Sequence, residues 1–282
     1  MAVADCDDGA MSDSPRPIRF GAVMSLRGAA RQWADAARDV EASGFSTLLV
    51  PDTLWTPSPF LALAAAAAST STLNLGTWVL SSSLRSPAEV ARESRTLQEL
   101  AEGRFELGIG AGRPGGEKDA AALGVAWGTP RERVDRVEAT IAAVRAAGET
   151  APRIVIAGQG DRMLRIAGRS AATLALPVPP AVTREELKEV VRHVRAVAGA
   201  DLELALQVTG VGDDLPDWLR HQMGLSPEDL RRRGAVAMLS GDSERDAEFL
   251  MDLRSETGIS YFTVPGQFTA RLAPLVALTA GR

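Results

Sequence analysis

From Ile18 onward, short β-branched or apolar runs alternate with longer stretches in which apolar residues recur at helical spacing, and Gly, Pro, Ser or Asp marks each change. The runs IRFGAVM (18–24), FSTLLV (45–50), LNLGTWVL (73–80), RFELGIG (104–110), RIVIAG (153–158), AATLAL (171–176), LELALQVTGV (202–211) and ISYFTV (259–264) read as strands. Helical spacing predicts helices over 32–43, 59–69, a stretch opening at Ser86, 130–147, 162–169, 183–197 and 269–278, with shorter pieces over 216–223, 227–233 and 244–256. Gly44 and Gly148 stand where a helix stops, Pro59 and Pro87 where one starts, and Thr183 with Glu186 forms a capping box.

Eight strands, each followed by helix, within about 265 residues match the size and order of an α/β fold of the (β/α)8 TIM barrel type. A doubly wound sheet is the rival, but a single domain of this size usually holds fewer strands in that arrangement. One barrel domain over 18–282 is therefore expected, after a leader over 1–17 expected to be disordered.

Composition narrows the class of function. With 282 residues, 45% of them apolar and 24% charged, the chain can bury a large core and is neither collagen-like nor disordered. A net charge of −5, with no basic run longer than the three arginines at 231–233, argues against a nucleic-acid surface. The single cysteine, Cys6, can form no internal disulfide and no cysteine metal site. The leader carries acids where a signal peptide needs positive charge, so a cytoplasmic protein is expected. The longest apolar stretch, 60–68, is about half of a membrane span, and no membrane partner is expected.

In a barrel of this kind chemistry belongs to the loops after the strands. These loops are poor in acids, bases and nucleophiles. His193 and His221 fall on predicted helices, which leaves no histidine triad or histidine metal site, and no metal is expected. Asp52 is the only carboxylate at a strand end, and reads equally as a turn or cap residue. The loop GIGAGRPGG (108–116) has Gly110, Gly112 and Gly115 at G-x-G-x-x-G spacing, but it follows the fourth strand and reaches its helix only near Pro130, so it is no dinucleotide fingerprint. Its glycines allow backbone to approach a flat ligand or another chain closely. A second loop places Gly158, Gln159, Gly160 and Asp161 before a helix, as a phosphate site or as a tight turn with Asp161 as cap.

Three segments carry a family resemblance: GFSTLLVPDT (44–53), LNLGTWVLSSSLRSPAEVARESRTLQELAEGRFELGIGAGRPGGE (73–117) and RIVIAGQGDRMLRIAGRSA (153–171), with GISYFTVPGQFTARLAPLVALTAG (258–281) matching more loosely. On these the chain resembles the bacterial luciferase-like flavin oxidoreductases, particularly the actinobacterial branch that uses the deazaflavin coenzyme F420. The resemblance implies a (β/α)8 barrel and a non-prolyl cis peptide at Trp78-Val79 facing the flavin ring, with Leu80 beside it. It implies that Asp52 contacts the deazaflavin and is the candidate catalytic acid. Gly110, Ala111 and Gly112 would flank the isoalloxazine or ribityl chain, and Gly158, Gln159, Gly160 and Met163 would hold the phosphate. Met24, Trp55 and Arg113 are the candidate substrate-pocket residues; the apolar members favour a flat apolar substrate or are barrel core, and Arg113 attracts an acidic group or is merely solvated.

The departures bear on mechanism. Many deazaflavin members carry Asp-His after the second strand, where this chain has Thr53. Sugar-phosphate dehydrogenases of the group carry a glutamate after the glycine loop, where Arg113 is the nearest counterpart. The segments between Pro177 and Leu202 and after Val211 look shortened relative to long members, so the usual covering insertion is expected to be trimmed. The expected activity is hydride transfer between coenzyme F420 and a small organic substrate with an activated C=C, C=N or C=O bond, in a homodimer. Two alternatives stay open: an FMNH2- and O2-dependent monooxygenase using FMN, and a cofactor-free accessory barrel.

Overall fold

The computed structural model describes residues 15–25, 27–148 and 150–282, so most of the expected leader and Cys6 lie outside the described residues. In chain order the elements are β1 (Arg19–Val23), α1 (Ala30–Ala42), β2 (Thr47–Val50), α2 (Pro59–Ala67), β3 (Asn74–Thr77), β4 (Leu80–Ser81), α3 (Pro87–Leu100), β5 (Phe105–Gly110), α4 (Gly116–Ala122), α5 (Pro130–Ala146) and β6 (Arg153–Ala157). They continue with α6 (Asp161–Ser170), β7 (Thr173–Ala175), α7 (Arg184–Ala198), β8 (Glu203–Gln207), β9 (Gly210–Val211), α8 (Asp217–Met223), α9 (Pro227–Arg233), β10 (Met238–Leu239), α10 (Ser243–Thr257), β11 (Ile259–Pro265) and α11 (Thr269–Thr279).

The parallel strands follow the order β3-β2-β1-β11-β8-β7-β6-β5-β4, and β3 also pairs with β5, which closes the sheet into a barrel. Because β3 and β4 are one stave interrupted at Trp78-Val79, the barrel has eight staves, as the alternation of runs predicts. The expected continuous strand over 202–211 is likewise broken, into β8 and β9, and α4 and β10 are elements that periodicity did not reveal. Helix starts follow local chemistry: the side chains of Ser86, Thr129 and Thr183 accept the amides of Glu89, Glu132 and Glu186, and the last two are full capping boxes.

Outward-facing strand residues such as Phe20, Leu48, Leu107, Leu204 and Phe262 lie in the main core, between the sheet and the helices. The alternate residues face the barrel axis. At the amino-terminal end these are polar. Arg19 grips both oxygens of Glu203 (2.9 and 2.8 Å) and one of Glu106 (2.8 Å), and its guanidinium carbon stacks 3.5 Å from the centroid of the Tyr261 ring. Arg153 adds a second cation on Glu203 at 2.9 Å. Burial alone would raise the Glu203 carboxyl, but Arg19, then Thr173 and Arg153, outweigh it and hold it below the usual range. Above this layer Tyr261 fills the axis with Leu49 and Ala205, and a Cβ on Gly21 would come within 2.6 Å of the Tyr261 hydroxyl. The interior is thus plugged below and lined by small residues above.

Removing one member of a buried ionic network leaves the others uncompensated. Arg19→Leu should therefore lower unfolding stability by roughly 3–5 kcal/mol at neutral pH, whereas Arg162→Leu, which breaks exposed pairs with Asp135 and Glu138, should cost far less. Since the Glu203 carboxyl is depressed in the folded state, its contribution is complete above its unfolded value and is lost as pH falls through the folded one. Urea unfolding across acid pH checks both; equal losses in the two variants at neutral pH would show that the cluster is not a plug.

Candidate active site at the carboxyl end of the barrel

Two cavities differ in kind. The larger, about 580 Å³, lies at the amino-terminal end beneath Arg19 and is lined by Arg104, Arg153, Glu106 and Glu203. Its charged side chains answer one another or backbone carbonyls, Arg104 binding Leu73 O at 2.7 Å, and it sits away from the strand ends where barrel chemistry occurs. The smaller, about 200 Å³, opens at the carboxyl end between β7, β8, β11 and α8. The candidate site is therefore taken at the carboxyl end.

On the arc formed by β2 to β6, close backbone approach sets the geometry. The Trp78-Val79 peptide is cis. Trp78 meets Tyr261 edge-on, ring centroids 6.0 Å apart, at the floor of the mouth. Val79 lies against β5, where a Cβ on Gly110 would come to 3.2 Å from Val79 Cγ2 and 3.1 Å from the Ala157 carbonyl. On Gly108 a Cβ would meet the Thr77 carbonyl at 2.0 Å, so this wall closes only with glycine.

Several expected site residues are engaged in ways that revise their roles. Asp52 receives Arg85 Nη2 at 3.0 Å, Arg85 Nε at 3.4 Å and the Ser81 amide at 3.3 Å, so it clamps the end of β2 to the β4–α3 segment. Arg113 binds the buried Asp119 at 2.7 Å and lies 4.5 Å from the Trp55 ring centroid; its charge is spent within the rim rather than offered to a substrate. Met24 and Leu80 are packed in the main core, where Met24 Sδ sits against Gly266, so their side chains do not form the rim. Met163 is also core, filling the space under Gly158.

The glycine loop does receive a flat group, but from its own chain. Gly112, at φ +95°, would place a Cβ 2.3 Å from Trp127 Cη2, and Gly116 would do so at 2.5 Å. Arg133 stacks on the same ring: its guanidinium lies 4.7 Å from the Trp127 ring centroid while its Nε donates to the Ala111 carbonyl at 3.0 Å. Trp127, Arg133 and Arg85 were not among the candidates read from the sequence; a tryptophan just before the capped start of α5 was the one available signal.

Two features are left without a partner among the described residues. The buried hydroxyls of Ser81 and Ser83 have no partner among the described residues, and Ser81 Oγ lies 3.0 Å from where a Gly112 Cβ would be. At the start of α6, Gly158, Gln159 and Gly160 form the turn, Gly160 has no neighbour within 4 Å of a built Cβ, and no side chain caps the helix. The first-turn amides of Asp161, Arg162 and Met163 therefore have no side-chain cap, and Asp161 itself is held by His193 Nε2 at 3.0 Å. Among the described residues no three metal-binding side chains cluster, and no helix is long and apolar enough to cross a membrane.

Comparison with known proteins agrees with this fold. Residues 16–248 match the family model described as luciferase-like monooxygenase. An F420-dependent glucose-6-phosphate dehydrogenase of Beutenbergia cavernae is 40% identical over 129 residues, covering 42% of this chain and 37% of that protein, so the chain aligns with little more than a third of that relative. A phthiodiolone/phenolphthiodiolone dimycocerosates ketoreductase of Mycobacterium sp. (strain JLS) is 29% identical over 261 residues, covering 78% of this chain and 68% of that protein. Among solved structures, an F420-dependent secondary alcohol dehydrogenase in complex with an F420-acetone adduct superposes with a TM-score of 0.71 at 17% identity, over 93% of this chain and 98% of that one.

Both its positive φ and the Trp127 ring oppose a side chain at Gly112. Gly112→Ala should lower stability by about 1–3 kcal/mol and shift tryptophan emission as Trp127 is displaced. Urea unfolding followed by fluorescence checks this, and an unchanged midpoint and spectrum would mean that the ring does not occupy that space.

Proposed function

Because the chain belongs to the luciferase-like monooxygenase family of oxidoreductases, we propose that it transfers a hydride between the deazaflavin coenzyme F420 and a small organic substrate at the carboxyl-terminal mouth of the barrel. The observation that carries this reading is the pairing of an uncapped helix start, at Gly158–Gly160 and α6, with the orphaned Ser81 hydroxyl beside Val79. The first suits a phosphate and the second a polar atom of a ring or its side chain. An F420-dependent relative and an F420-bound structural neighbour support the choice of cofactor.

When bound, a deazaflavin supplies a ring carbon that accepts or gives up a hydride. The rest is the work of the protein. Trp78 and Val79 give the ring a firm floor, because Tyr261 and the β5 glycines back them. The α6 amides of Asp161, Arg162 and Met163 fix the phosphate end, with Gln159 alongside. Trp127 and the Trp55–Arg113 stack wall off water on the side of the glycine loop. Asp52 acts by position, through Arg85 and Ser81, rather than by moving a proton. With Thr53 hydrogen-bonded to Thr56 where many deazaflavin-dependent members carry histidine, orientation and water exclusion take the place of side-chain acid catalysis.

Gly160→Asp places a carboxylate in open space at the proposed phosphate site without a clash. It should weaken cofactor binding at least about tenfold, some 1.4 kcal/mol, with an unchanged melting temperature. Fluorescence titration of wild type and variant with F420 and with FMN checks this. Binding of FMN alone would move the protein to the monooxygenase reading, and binding of neither by the wild type would overturn the proposed cofactor chemistry.

A further inference from the structure

The arc of the mouth opposite the proposed cofactor elements is built differently. The stretch between β8 and α10, expected to be shortened, is no bare connection. Instead α8, α9 and the parallel pair β9–β10 fold over a small core of their own, Leu215, Leu230 and Ala235, and tie back to the segment after β7 through the Val236 amide and the Val182 carbonyl at 2.9 Å. Between this cover and the barrel rim runs the groove of about 200 Å³. Trp218 and Met223 of α8 form one wall, Leu176, Pro177 and Pro265 of the rim the other. Leu219, between them in sequence, is buried, while Trp218 and Met223 are 44% and 51% exposed.

Among the described residues, no charged side chain lines this groove. Its polar groups are neutral and uncommitted: the Gln207 and Thr209 side chains make no hydrogen bond among the described residues. Thr263, the register partner of Gln207 across β8 and β11, has a buried hydroxyl without a partner. An ionised phosphate or carboxylate would be desolvated here with no counter-charge, since Arg113 is already paired with Asp119. A neutral oxygen could accept from the Gln207 amide and the Thr209 hydroxyl without any charge being desolvated.

We propose that the groove binds the substrate, and that this substrate is neutral and predominantly hydrocarbon, with one oxygen function held by Gln207 and Thr209; sugar phosphates and fatty carboxylates are rejected. The inference rests on the hydride-transfer reading only in naming the occupant a substrate, and its test uses cofactor-free protein. Prodan, a neutral fluorescent naphthyl ketone, should bind with blue-shifted emission. Methyl nonyl ketone should displace it, while decanoate, of similar length but charged, and glucose-6-phosphate should not at roughly hundredfold higher concentration. Trp218→Arg and Met223→Glu put charge into the groove at exposed positions where folding is preserved, and each should weaken prodan at least about tenfold.

Unchanged prodan affinity in both variants, at wild-type melting temperature, overturns the proposal. So does displacement by decanoate or glucose-6-phosphate as readily as by the ketone. If the ketone behaves as expected while F420 and FMN both fail to bind, the groove assignment stands and the cofactor reading falls. If a cofactor binds and prodan and the ketone do not, the groove assignment falls alone.

Discussion

Arg19 enters the barrel from its first strand and carries a full charge into a space walled by backbone, which is tolerable only because Glu106 and Glu203 meet it there. That one interaction decides how the interior is used. A closed eight-stave barrel must be filled by its own inward side chains. Here the long ones, Arg19, Glu106, Arg153, Glu203 and Tyr261, crowd the amino-terminal half, and Gly108, Gly110, Ala157 and Ala205 occupy the upper part. The lower end becomes a rigid plug and the upper end keeps room. Tyr261 links the two, stacked on Arg19 below and touching Trp78 above.

The glycines follow from the same constraint. Gly21 makes way for Tyr261, and Gly108 for the Thr77 carbonyl. Gly112 makes way for Trp127. A glycine-rich stretch that suggests a ligand cradle is in large part a device for packing the wall. What is left for a ligand is smaller and better defined: the α6 turn at Gly160 and the hydroxyl of Ser81. The division of the rim into an arc of β2 to β6 and an arc of β7, β8 and β11 then separates the proposed phosphate-and-ring surface from an apolar groove.

Much of this architecture was legible in the chain, because strands buried on both faces are continuous apolar runs and the helices between them carry caps. The breaks were not legible in local periodicity; only the family resemblance implied the cis bond at Trp78-Val79 that the structure has. In LNLGTWVL nothing local distinguishes Trp78-Val79 from an ordinary ladder position, and in LELALQVTGV the departure at Val208 and Thr209 is set by pairing with the distant β10. At the site, the positions after the strands were readable from topology, but their state was not. Asp52 meets Arg85 from another segment, and Trp127 reaches Gly112 and Gly116 from beyond α4. Side-chain partners at such separations leave no trace in local periodicity.

Those partnerships give the mouth its electrical character. Asp52 is matched by Arg85, and Arg113 by Asp119, while the groove contributes only amide and hydroxyl groups. A reacting centre between the two arcs would therefore feel few unbalanced side-chain charges, and the fixed dipoles of the α6 start would be the main source of potential. Such a setting gives little help to a reaction that needs a strong acid or base. It suits one in which a hydride passes directly between two carbons held in contact, where exclusion of water and alignment supply most of what the protein can add. The poverty of the rim in catalytic side chains is then consistent with the chemistry rather than a deficiency of it.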